Sequence, residues 1–313
     1  MRYIVNCKKK IVIVGKLPPP FGGVAVSIKN YFEVLKSKDG IDVELFSPLD
    51  IFKIVTSKAK FVHFNFSKSY KRLIYTLICF ALRKKVIHTV HGQYFSVKNI
   101  FNHITGLFSH RLLVLNQELY GNLAPIYSGK VHIVSPILSV DTEFSIENKW
   151  IQDRDSGLKY ILLYSNKKTE IDGKDVYGVD FVLSFLNDLN ELGFKVVFLD
   201  LGKDYSFLKG SSQIDYYDSP MNFKDLLASV DIYIRPTSTD GQSIAVLESL
   251  SVGTPVLASD SVPRPEGCYL YQHENQDEFI RKLRSIDTKN NKKSHKLTSV
   301  DEYLEIIGFK DAL

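Results

Sequence analysis

The chain has 313 residues, enough for two α/β domains of ordinary size, and 44% of them are hydrophobic while 24% are charged. This composition is typical of a globular protein and excludes a low-complexity or disordered chain. The three cysteines are widely spaced and form no Cys-x-x-Cys pair. That pattern argues against a disulfide framework and a structural zinc site, and it favours a reducing, cytoplasmic compartment.

The charge is divided unevenly along the chain. Residues 1–147 contain 20 Lys and Arg against 9 Asp and Glu, a net charge of +11, and residues 148–313 contain 20 against 26, a net charge of −6. A basic half favours an anionic partner such as a membrane surface, a phosphate-bearing acceptor or nucleic acid, although a solvated basic surface without a ligand is an alternative. Since neither an RNP-like aromatic segment nor a helix-turn-helix pattern accompanies it, we do not predict nucleic-acid binding.

Short β-branched runs alternate with helical patterns, which predicts βαβ units with parallel sheets covered on both faces. In the first half, strands are predicted at residues 9–15, 41–47, 60–66, 84–92, 111–116 and 130–135, with amphipathic helices at 24–37 and 68–83. The charges at the start of the chain follow a short apolar stretch, the reverse of a secretory signal, so we expect none there.

The apolar segment 73–82 is bracketed by cations on both sides, at 71–72 and 83–85. It is shorter than the roughly 18 residues of a membrane-spanning helix, so we expect it not to span a bilayer. Its length fits a buried helix that packs on a sheet, and its flanking cations fit contact with a membrane surface.

The second half repeats the same alternation. Strands are predicted at 159–165, 194–202, 213–218, 230–236 and 254–260, with helices near 180–192, 222–229 and 243–252. The polar segment 141–158 joins the halves, which predicts an N-terminal domain at 1–147 and a C-terminal domain at 148–313, the last helix (299–309) packing back on the first. Two doubly wound units place ligands at the carboxyl ends of their strands.

The segment 235–260 carries the most specific pattern. A buried strand ends at Arg235, a polar loop follows, and Ser243 is placed to cap the next helix, so that free backbone N–H groups face the crevice. Such a helix end suits an anionic or hydroxyl-rich ligand. Asp240 in the loop and Glu248 on the helix can accept hydrogen bonds from the vicinal hydroxyls of ribose and pyranose rings.

This segment resembles the retaining glycosyltransferases of family 4 (glycosyl transferases group 1), which have the GT-B fold of two Rossmann-like domains facing a cleft. Asp240 and Glu248 are separated by seven residues, and Gly253-Thr-Pro-Val256 follows. The resemblance implies that Glu248 holds the donor ribose and that Asp240, here in place of the usual glutamate, touches the transferred sugar. It also implies that the backbone amides of the helix start, at Gly241, Gln242, Ser243 and Ile244, face the sugar and the phosphate.

Two further segments fit the resemblance. The loop after the first strand contains Lys16 and the adjacent glycines Gly22 and Gly23, which let the backbone approach a ligand in front of a helix; their spacing disfavours NAD. By resemblance this loop lies against the donor diphosphate and sugar. His91, at the end of the fourth strand, is a candidate catalytic residue near the donor sugar and acceptor, whereas His88 in mid-strand is expected to be packed.

The diphosphate site is the least defined part of the pattern. The family usually has Gly-Arg and then Lys-Gly after the first strand of the second domain, but here arginine is missing and Tyr177 precedes Gly178. The candidate cations are Lys167, Lys168, Lys174, Arg235 and Lys16. Glu266 matches a family Pro-Glu pair and is expected to shape its loop.

The sequence therefore predicts a glycosyltransferase of hexosyltransferase type that uses a nucleotide-diphosphate sugar as substrate, with no cofactor and no metal. By resemblance it retains the anomeric configuration. Its acceptor is predicted to be a glycan or polyprenyl-diphosphate-linked precursor of surface polysaccharide, at the inner face of the cytoplasmic membrane. The alternatives are a nucleotide-sugar epimerase or hydrolase on the same fold, or a non-catalytic nucleotide-sugar-binding protein.

Overall fold

The computed structural model describes residues 8–18, 23–91, 95–138, 155, 157–171, 173–240, 243–288 and 297–309. The chain divides into two compact units. Unit 1 consists of residues 1–140 and 297–313, and unit 2 consists of residues 141–296. Each unit contains a six-stranded parallel sheet with helices on its faces, which confirms the predicted α/β class.

Unit 1 follows the predicted βαβ alternation. Its elements are β1 (Lys9–Val14), α1 (Gly23–Lys36), β2 (Ile41–Phe46), α2 (Ile51–Thr56), β3 (Phe61–Phe64), α3 (Ser69–Ala81), β4 (Lys85–Val90), α4 (Ile100–Phe108), β5 (Arg111–Val114), α5 (Gln117–Leu123) and β6 (Val131–Ile133). The strand order is β2-β1-β3-β4-β5-β6, with every pair parallel. The carboxyl ends of β1, β3 and β4 therefore lie side by side at one edge.

The strands of unit 1 are apolar throughout because both faces of the sheet are covered. In β1, Ile11 and Ile13 pack into the core on one face, while Val12 and Val14 pack into the core on the other. All four side chains are fully buried. At the end of this strand Gly15 approaches α1 so closely that a Cβ would collide with Ile28. A larger residue at position 15 would therefore have to displace the side chain of Ile28.

Residues 297–309 complete unit 1. They form a loop and helix α11 (Val300–Ile306), whose Tyr303 is fully buried and lies with its hydroxyl 2.8 Å from His63 Nδ1. The carbonyl of Phe309 accepts a hydrogen bond from Lys9 Nζ at 2.9 Å. The last described helix therefore packs against strands of the first half of the chain.

Unit 2 repeats the architecture. Its elements are β7 (Lys159–Ser165), the hairpin strands β8 (Glu170–Ile171) and β9 (Lys174–Asp175), α6 (Val179–Leu183), α7 (Leu186–Glu191), β10 (Phe194–Asp200), β11 (Ile214–Tyr217), α8 (Phe223–Ala228), β12 (Ile232–Arg235), α9 (Ile244–Ser251), β13 (Val256–Ser259), β14 (Tyr269–Tyr271) and α10 (Gln276–Ser285). The order of the large sheet is β11-β10-β7-β12-β13-β14, again all parallel.

Two local predictions differ from the structure of unit 2. The segment predicted as one helix near 180–192 forms two short helices. The chain leaves helical geometry at Phe185, whose φ of −127° lies outside the helical range. The side chain of Phe185 is buried in the core there. The hairpin β8–β9 is not predicted from the sequence, because strands of two residues are too short to show a periodic pattern.

Helix α3 differs from the expectation that segment 73–82 is buried. Its inner face carries Arg72, Thr76 and Cys79, whereas Ile74 and Phe80 are half-exposed. Ile74, Leu77, Phe80 and Leu82 thus point away from the sheet, while Cys79 lies in the core and Tyr75 packs against it. Within the described residues, every helix falls short of the length and hydropathy needed to cross a bilayer.

Candidate functional site

The predicted residues of unit 2 lie at the carboxyl-terminal edge of its sheet. Arg235 is the last residue of β12, Asp240 and Ser243 follow in the loop that leads to α9, and Lys167 and Lys168 follow β7. Strands β7, β12 and β13 are neighbours in the sheet. The structure therefore brings these residues to one edge, where parallel α/β sheets bind ligands.

Asp240 forms the centre of an ion-pair cluster. Its Oδ2 accepts a hydrogen bond from Arg235 Nε at 3.0 Å and another from Arg264 Nη1 at 3.1 Å. Its Oδ1 accepts none from the described residues. Because both guanidinium groups bind the same oxygen, they fix the orientation of the carboxylate.

Arg264 reaches Asp240 from the segment after β13. Its Nε donates to the carbonyl of Ser259 at 3.1 Å, and its Nη2 donates to the hydroxyls of Thr237 at 2.7 Å and Ser259 at 3.1 Å. The hydroxyls of Ser259 and Ser261 both donate to the carbonyl of Thr237 at 2.6 Å. This network ties the loop after β12 to the loop after β13.

The cluster carries a surplus positive charge, since two buried guanidinium groups share one carboxylate. Burial lowers the pKa of Arg235, but Asp240, with Tyr233 and Tyr177, outweighs this effect, and the pKa is raised overall. Burial lowers the pKa of Arg264, and Arg235 adds to that effect. Arg235 Nη1 is buried without a partner in the described part of the chain. An anion at this edge would balance the surplus charge.

Tyr177 contacts the same cluster. The Arg235 guanidinium carbon lies 5.2 Å from the centre of the Tyr177 ring, at the range of a cation–π interaction. The next residue, Gly178, has φ +67° and begins α6, and a Cβ there would collide with the carbonyl oxygen of Pro236. The Tyr-Gly pair that replaces the expected Lys-Gly thus packs against Arg235 and the following Pro236.

Helix α9 begins as the sequence predicts. Ser243 is the N-cap residue, and its hydroxyl accepts a hydrogen bond from the backbone N–H of Val246 at 3.4 Å. Ile244 is buried at the first position of the helix, and Glu248, one turn further on, is half-buried. Burial raises the pKa of Tyr164 on β7, and the charge of Glu248 contributes to this. Gly241 and Gln242 lie outside the described residues.

The three candidate lysines are all exposed. Lys168 Nζ pairs with Asp180 at 3.0 Å, and its backbone N–H donates to Asp204 at 2.6 Å. Lys174 lies on the β8–β9 hairpin, and Lys167 lies in the loop after β7. None of the three contacts the Asp240 cluster.

In unit 1, the predicted residues lie at the carboxyl-terminal edge of its own sheet. Lys16 is exposed after β1, and Gly23 is the exposed first residue of α1, with open space around its α-carbon. Gly22 lies outside the described residues. His91 follows β4 directly, and its Nε2 lies 3.2 Å from the side-chain oxygen of Asn65, which follows β3.

His91 is neutral at neutral pH, because burial and the nearby Arg72 lower its pKa to about 4. With the Asn65 oxygen as acceptor, Nε2 carries the proton and Nδ1 remains an acceptor. His88 is fully buried in mid-strand, where its Nε2 lies 2.8 Å from the Thr76 hydroxyl of α3. This is the packed position expected for it.

Sequence reasoning missed Arg264 and Tyr177. Arg264 belongs to the same Pro-Arg-Pro-Glu segment as Glu266, and the available signal is an arginine close to a strand end on the ligand side. Tyr177 was noted only as the residue that stands in place of a lysine. Its pairing with Arg235 depends on the close approach of Gly178 to Pro236, which no sequence pattern displays.

Residues 182–288 match the model of the family described as glycosyl transferases group 1. This region is about a third of the chain and contains Arg235, Asp240, Glu248 and Arg264. A search of curated proteins found no match.

Solved structures share the fold of the whole chain. HepE of Anabaena, in complex with UDP and glucose, is 12% identical, with 97% of this chain and 100% of that chain covered and a TM-score of 0.68. The catalytic domain of starch synthase IV from Arabidopsis thaliana, bound to ADP and acarbose, is 9% identical over 97% and 95%, with a TM-score of 0.64.

A third similar structure has a different activity. The UDP-GlcNAc 2-epimerase of Methanocaldococcus jannaschii, in complex with UDP-GlcNAc and UDP, is 12% identical over 96% of this chain and 99% of that chain, with a TM-score of 0.59. Residues 182–288 thus match glycosyl transferases group 1, and the chain as a whole has the α/β fold of the GT-B glycosyltransferases.

Proposed function

We propose that this protein is a glycosyltransferase that transfers a hexosyl group from a nucleotide-diphosphate sugar to a membrane-borne glycan acceptor. The observation that carries the proposal is the Asp240 cluster at the start of α9, where two buried arginines and a fixed carboxylate meet a helix N-terminus. The family match of residues 182–288 and the nucleotides bound by HepE and starch synthase IV support it.

Each part of the cluster has a role in the proposed reaction. Glu248 accepts hydrogen bonds from the ribose hydroxyls, and the Oδ1 of Asp240 accepts one from the transferred sugar. As the bond from the anomeric carbon to the diphosphate breaks, its electron pair remains on the diphosphate oxygen. The surplus charge of Arg235 and Arg264, with the amides of the helix start, stabilises that leaving group.

The acceptor hydroxyl completes the exchange. Its oxygen forms the new bond to the anomeric carbon, and its proton leaves with the diphosphate, so that atoms and charge balance. By analogy with the resembled family, the new bond retains the anomeric configuration. In unit 1, the Nδ1 of neutral His91 is available to accept a hydrogen bond from the acceptor. Its low pKa makes it an orienting group rather than a strong base at pH 7.

An exposed apolar surface on unit 1 supports a membrane-borne acceptor. Helices α3 and α4 bury polar residues such as Thr76, Asn102 and Thr105 and expose apolar ones. The exposed apolar side chains of these two helices are hereafter called the α3–α4 surface. They are Tyr70, Ile74, Leu77, Phe80, Ile100, Phe101, Leu107 and Phe108. The rings of Phe80 and Phe108 lie 4.9 Å apart, so the two helices form one continuous patch.

The charge around this patch fits an anionic lipid surface. Residues 51–117 contain 11 Lys and Arg and no Asp or Glu. A groove of about 640 Å³ at the ends of the two helices is lined by Phe80 and Phe108 together with Arg83, Arg111 and Lys130. Arg111 and Lys130 donate to backbone carbonyls rather than to carboxylates. These features support the proposal that the protein acts at the inner face of the cytoplasmic membrane, in the synthesis of a surface polysaccharide.

The epimerase alternative shares the fold, so fold alone does not separate it from a transferase. The test is incubation with labelled UDP-, GDP-, ADP- and CMP-sugars, chosen by thermal shift, together with a lipid extract. Label that enters the lipid phase supports transfer. Free sugar or an epimer without lipid label means that the protein is a hydrolase or an epimerase.

The donor site is tested by Glu248→Gln, which keeps the size of the side chain and removes the charge. We expect nucleotide-sugar affinity to fall at least about tenfold, because charged hydrogen bonds to the ribose are lost. Glu191→Gln, an exposed glutamate at the end of α7, is the matched control and should bind like the wild type. Equal affinity in all three proteins would contradict the proposed donor site.

A further inference from the structure

Arg72 is a buried cation that the proposed reaction does not use. It lies on the inner face of α3 and is only 4% exposed. Its neighbours belong to the carboxyl-terminal edge of β4: Phe95 in the loop after the strand, Asn102 at the start of α4, and His91 through its charge. Arg72 therefore stands at the ligand edge of the unit 1 sheet.

No carboxylate balances this charge within the described residues. Nη2 donates to the side-chain oxygen of Asn102 at 3.0 Å, and the guanidinium carbon lies 4.7 Å from the centre of the Phe95 ring. Nε is buried and has no hydrogen-bond partner in the part of the chain that the structure describes. A buried charge that lacks a counter-ion is strongly unfavourable, so a folded protein retains one only where something compensates it.

The surroundings are positive or neutral in character. Asn102 is itself fixed, because its amide nitrogen donates to the carbonyl of Ser96 at 3.1 Å. Burial lowers the pKa of His88 and His91, and Arg72 lowers both further, so the histidines stay neutral at pH 7. Burial lowers the pKa of Arg72 only to about 10, so the guanidinium stays charged. The group is thus a fixed, unbalanced cation.

We propose that Arg72 binds a phosphate group of the acceptor, with Asn102 and Phe95 holding the guanidinium in place. A phosphate offers the two oxygens that a guanidinium fork matches, and it supplies the missing negative charge. A phosphate group is also what a lipid-linked acceptor presents next to its sugar. This inference rests on the proposed function for the identity of the acceptor, whereas the anion site itself does not.

The test is titration of the full-length protein, saturated with a nucleoside diphosphate so that the site in unit 2 is filled, with farnesyl diphosphate (a short prenyl diphosphate) and with inorganic pyrophosphate. We expect Arg72→Met to weaken binding of both at least about tenfold, since a charged hydrogen-bond donor is removed. Lys68→Gln removes an exposed cation just before α3 and should change binding by no more than about twofold. Nucleoside diphosphate affinity, measured in parallel, should be unchanged in both variants.

A stability measurement separates a ligand-binding arginine from a structural one. Without ligand, Arg72→Met should melt at the same temperature as the wild type or higher, because an unbalanced buried charge is replaced by an apolar side chain. Arg72→Lys keeps the charge without the fork and should recover only part of the anion affinity.

Several results would overturn the proposal. The first is equal anion affinity in Arg72→Met and the wild type. The second is that the wild type binds phosphatidylglycerol vesicles but neither diphosphate. The third is a lower melting temperature of Arg72→Met together with equal losses of anion and nucleotide binding. Failure of the proposed function looks different, since it appears as a lack of sugar transfer or nucleotide binding in the wild type while anion binding still depends on Arg72.

Discussion

Arg264 Nη1 lies 3.1 Å from Asp240 Oδ2 although the two residues are 24 positions apart in the chain. The contact joins the loops that follow β12 and β13, and it fixes the carboxylate that, by the family resemblance, is expected to touch the transferred sugar. Because Arg235 binds the same oxygen, either arginine alone leaves Asp240 paired, and only the two together give the surplus positive charge.

Arg264→Met tests the importance of this arrangement. The substitution leaves the hydroxyls of Thr237 and Ser259 without their donor, so we expect the free energy of unfolding to fall by on the order of 3 kcal/mol. Loss of the second cation should reduce kcat/KM for sugar transfer by about 100-fold or more. Urea unfolding and initial rates measure the two effects.

The matched control is Arg281→Met, which breaks an exposed ion pair with Glu278 on α10. Exposed pairs contribute little, so stability should change by less than about 0.5 kcal/mol and activity should be unchanged. If Arg264→Met behaves like this control, Arg264 has no part in the site.

Gly178→Ala tests the packing behind Arg235. The new Cβ collides with the carbonyl oxygen of Pro236 and also forces alanine into the left-handed region at φ +67°. Gly173→Ala, at φ +74° in open space, carries the backbone strain alone, about 1 kcal/mol. We expect Gly178→Ala to destabilise unit 2 by at least about 2 kcal/mol.

Donor binding distinguishes the two glycine variants further. Displacement of Tyr177 from Arg235 should weaken nucleotide-sugar affinity in Gly178→Ala, whereas Gly173→Ala should bind like the wild type. Equal unfolding free energies for the two variants would show that Pro236 can move without loss of stability, and that its close contact with Gly178 does not matter.

The sequence allowed much of this fold to be predicted, for physical reasons that differ by element. A run such as Ile11–Val14 has no polar face, so it must be covered on both sides, and a parallel sheet follows. The cap at Ser243 is local chemistry within four residues. By contrast, the contact between Arg264 and Asp240 depends on the order of β12 and β13 in the sheet, which no local pattern displays.

Helix α3 shows a different limit. Its apolar run is compatible with either of two orientations, since hydrophobicity alone does not tell whether a face meets the core or a lipid surface. The buried polar face decides the orientation, and it is recognised only from contacts distant in sequence, between Thr76 and His88 and between one guanidinium nitrogen of Arg72 and Asn102.

Stability should depend on pH through buried histidines of unit 1. Burial, with the nearby His91, lowers the pKa of His63 to about 3, and its two ring nitrogens lie 2.7 Å from the Thr89 hydroxyl and 2.8 Å from that of Tyr303. Unfolded histidine titrates near 6.5. Above that pH neither state binds the proton, and below it only the unfolded state does, so stability is lost as the pH falls from about 6.5.

The size of this loss is on the order of 3 kcal/mol between pH 6.5 and 4 for one fully buried histidine. Urea unfolding of wild type and His63→Gln across this range measures it as the difference between two curves, which cancels the carboxylates common to both proteins. The wild-type curve should be the steeper one. Parallel curves would mean that His63 takes up its proton in the folded state.

Binding of vesicles should depend on the α3–α4 surface. Phe80→Ser removes a half-exposed ring from that surface, and we expect partition onto phosphatidylglycerol vesicles at low salt to fall about tenfold. Phe207→Ser removes an exposed ring from unit 2 and is the control, with no expected change. Equal losses in both variants, or equal binding to neutral vesicles, would contradict a specific basic and apolar docking surface.

Because residues 297–309 complete unit 1, the ribosome finishes that unit last although it begins it first. Until α11 emerges, the rings of Tyr31 and His63 lack the side chain of Tyr303 that packs on them. During translation the core of unit 1 therefore stays incomplete until all of unit 2 has been synthesised.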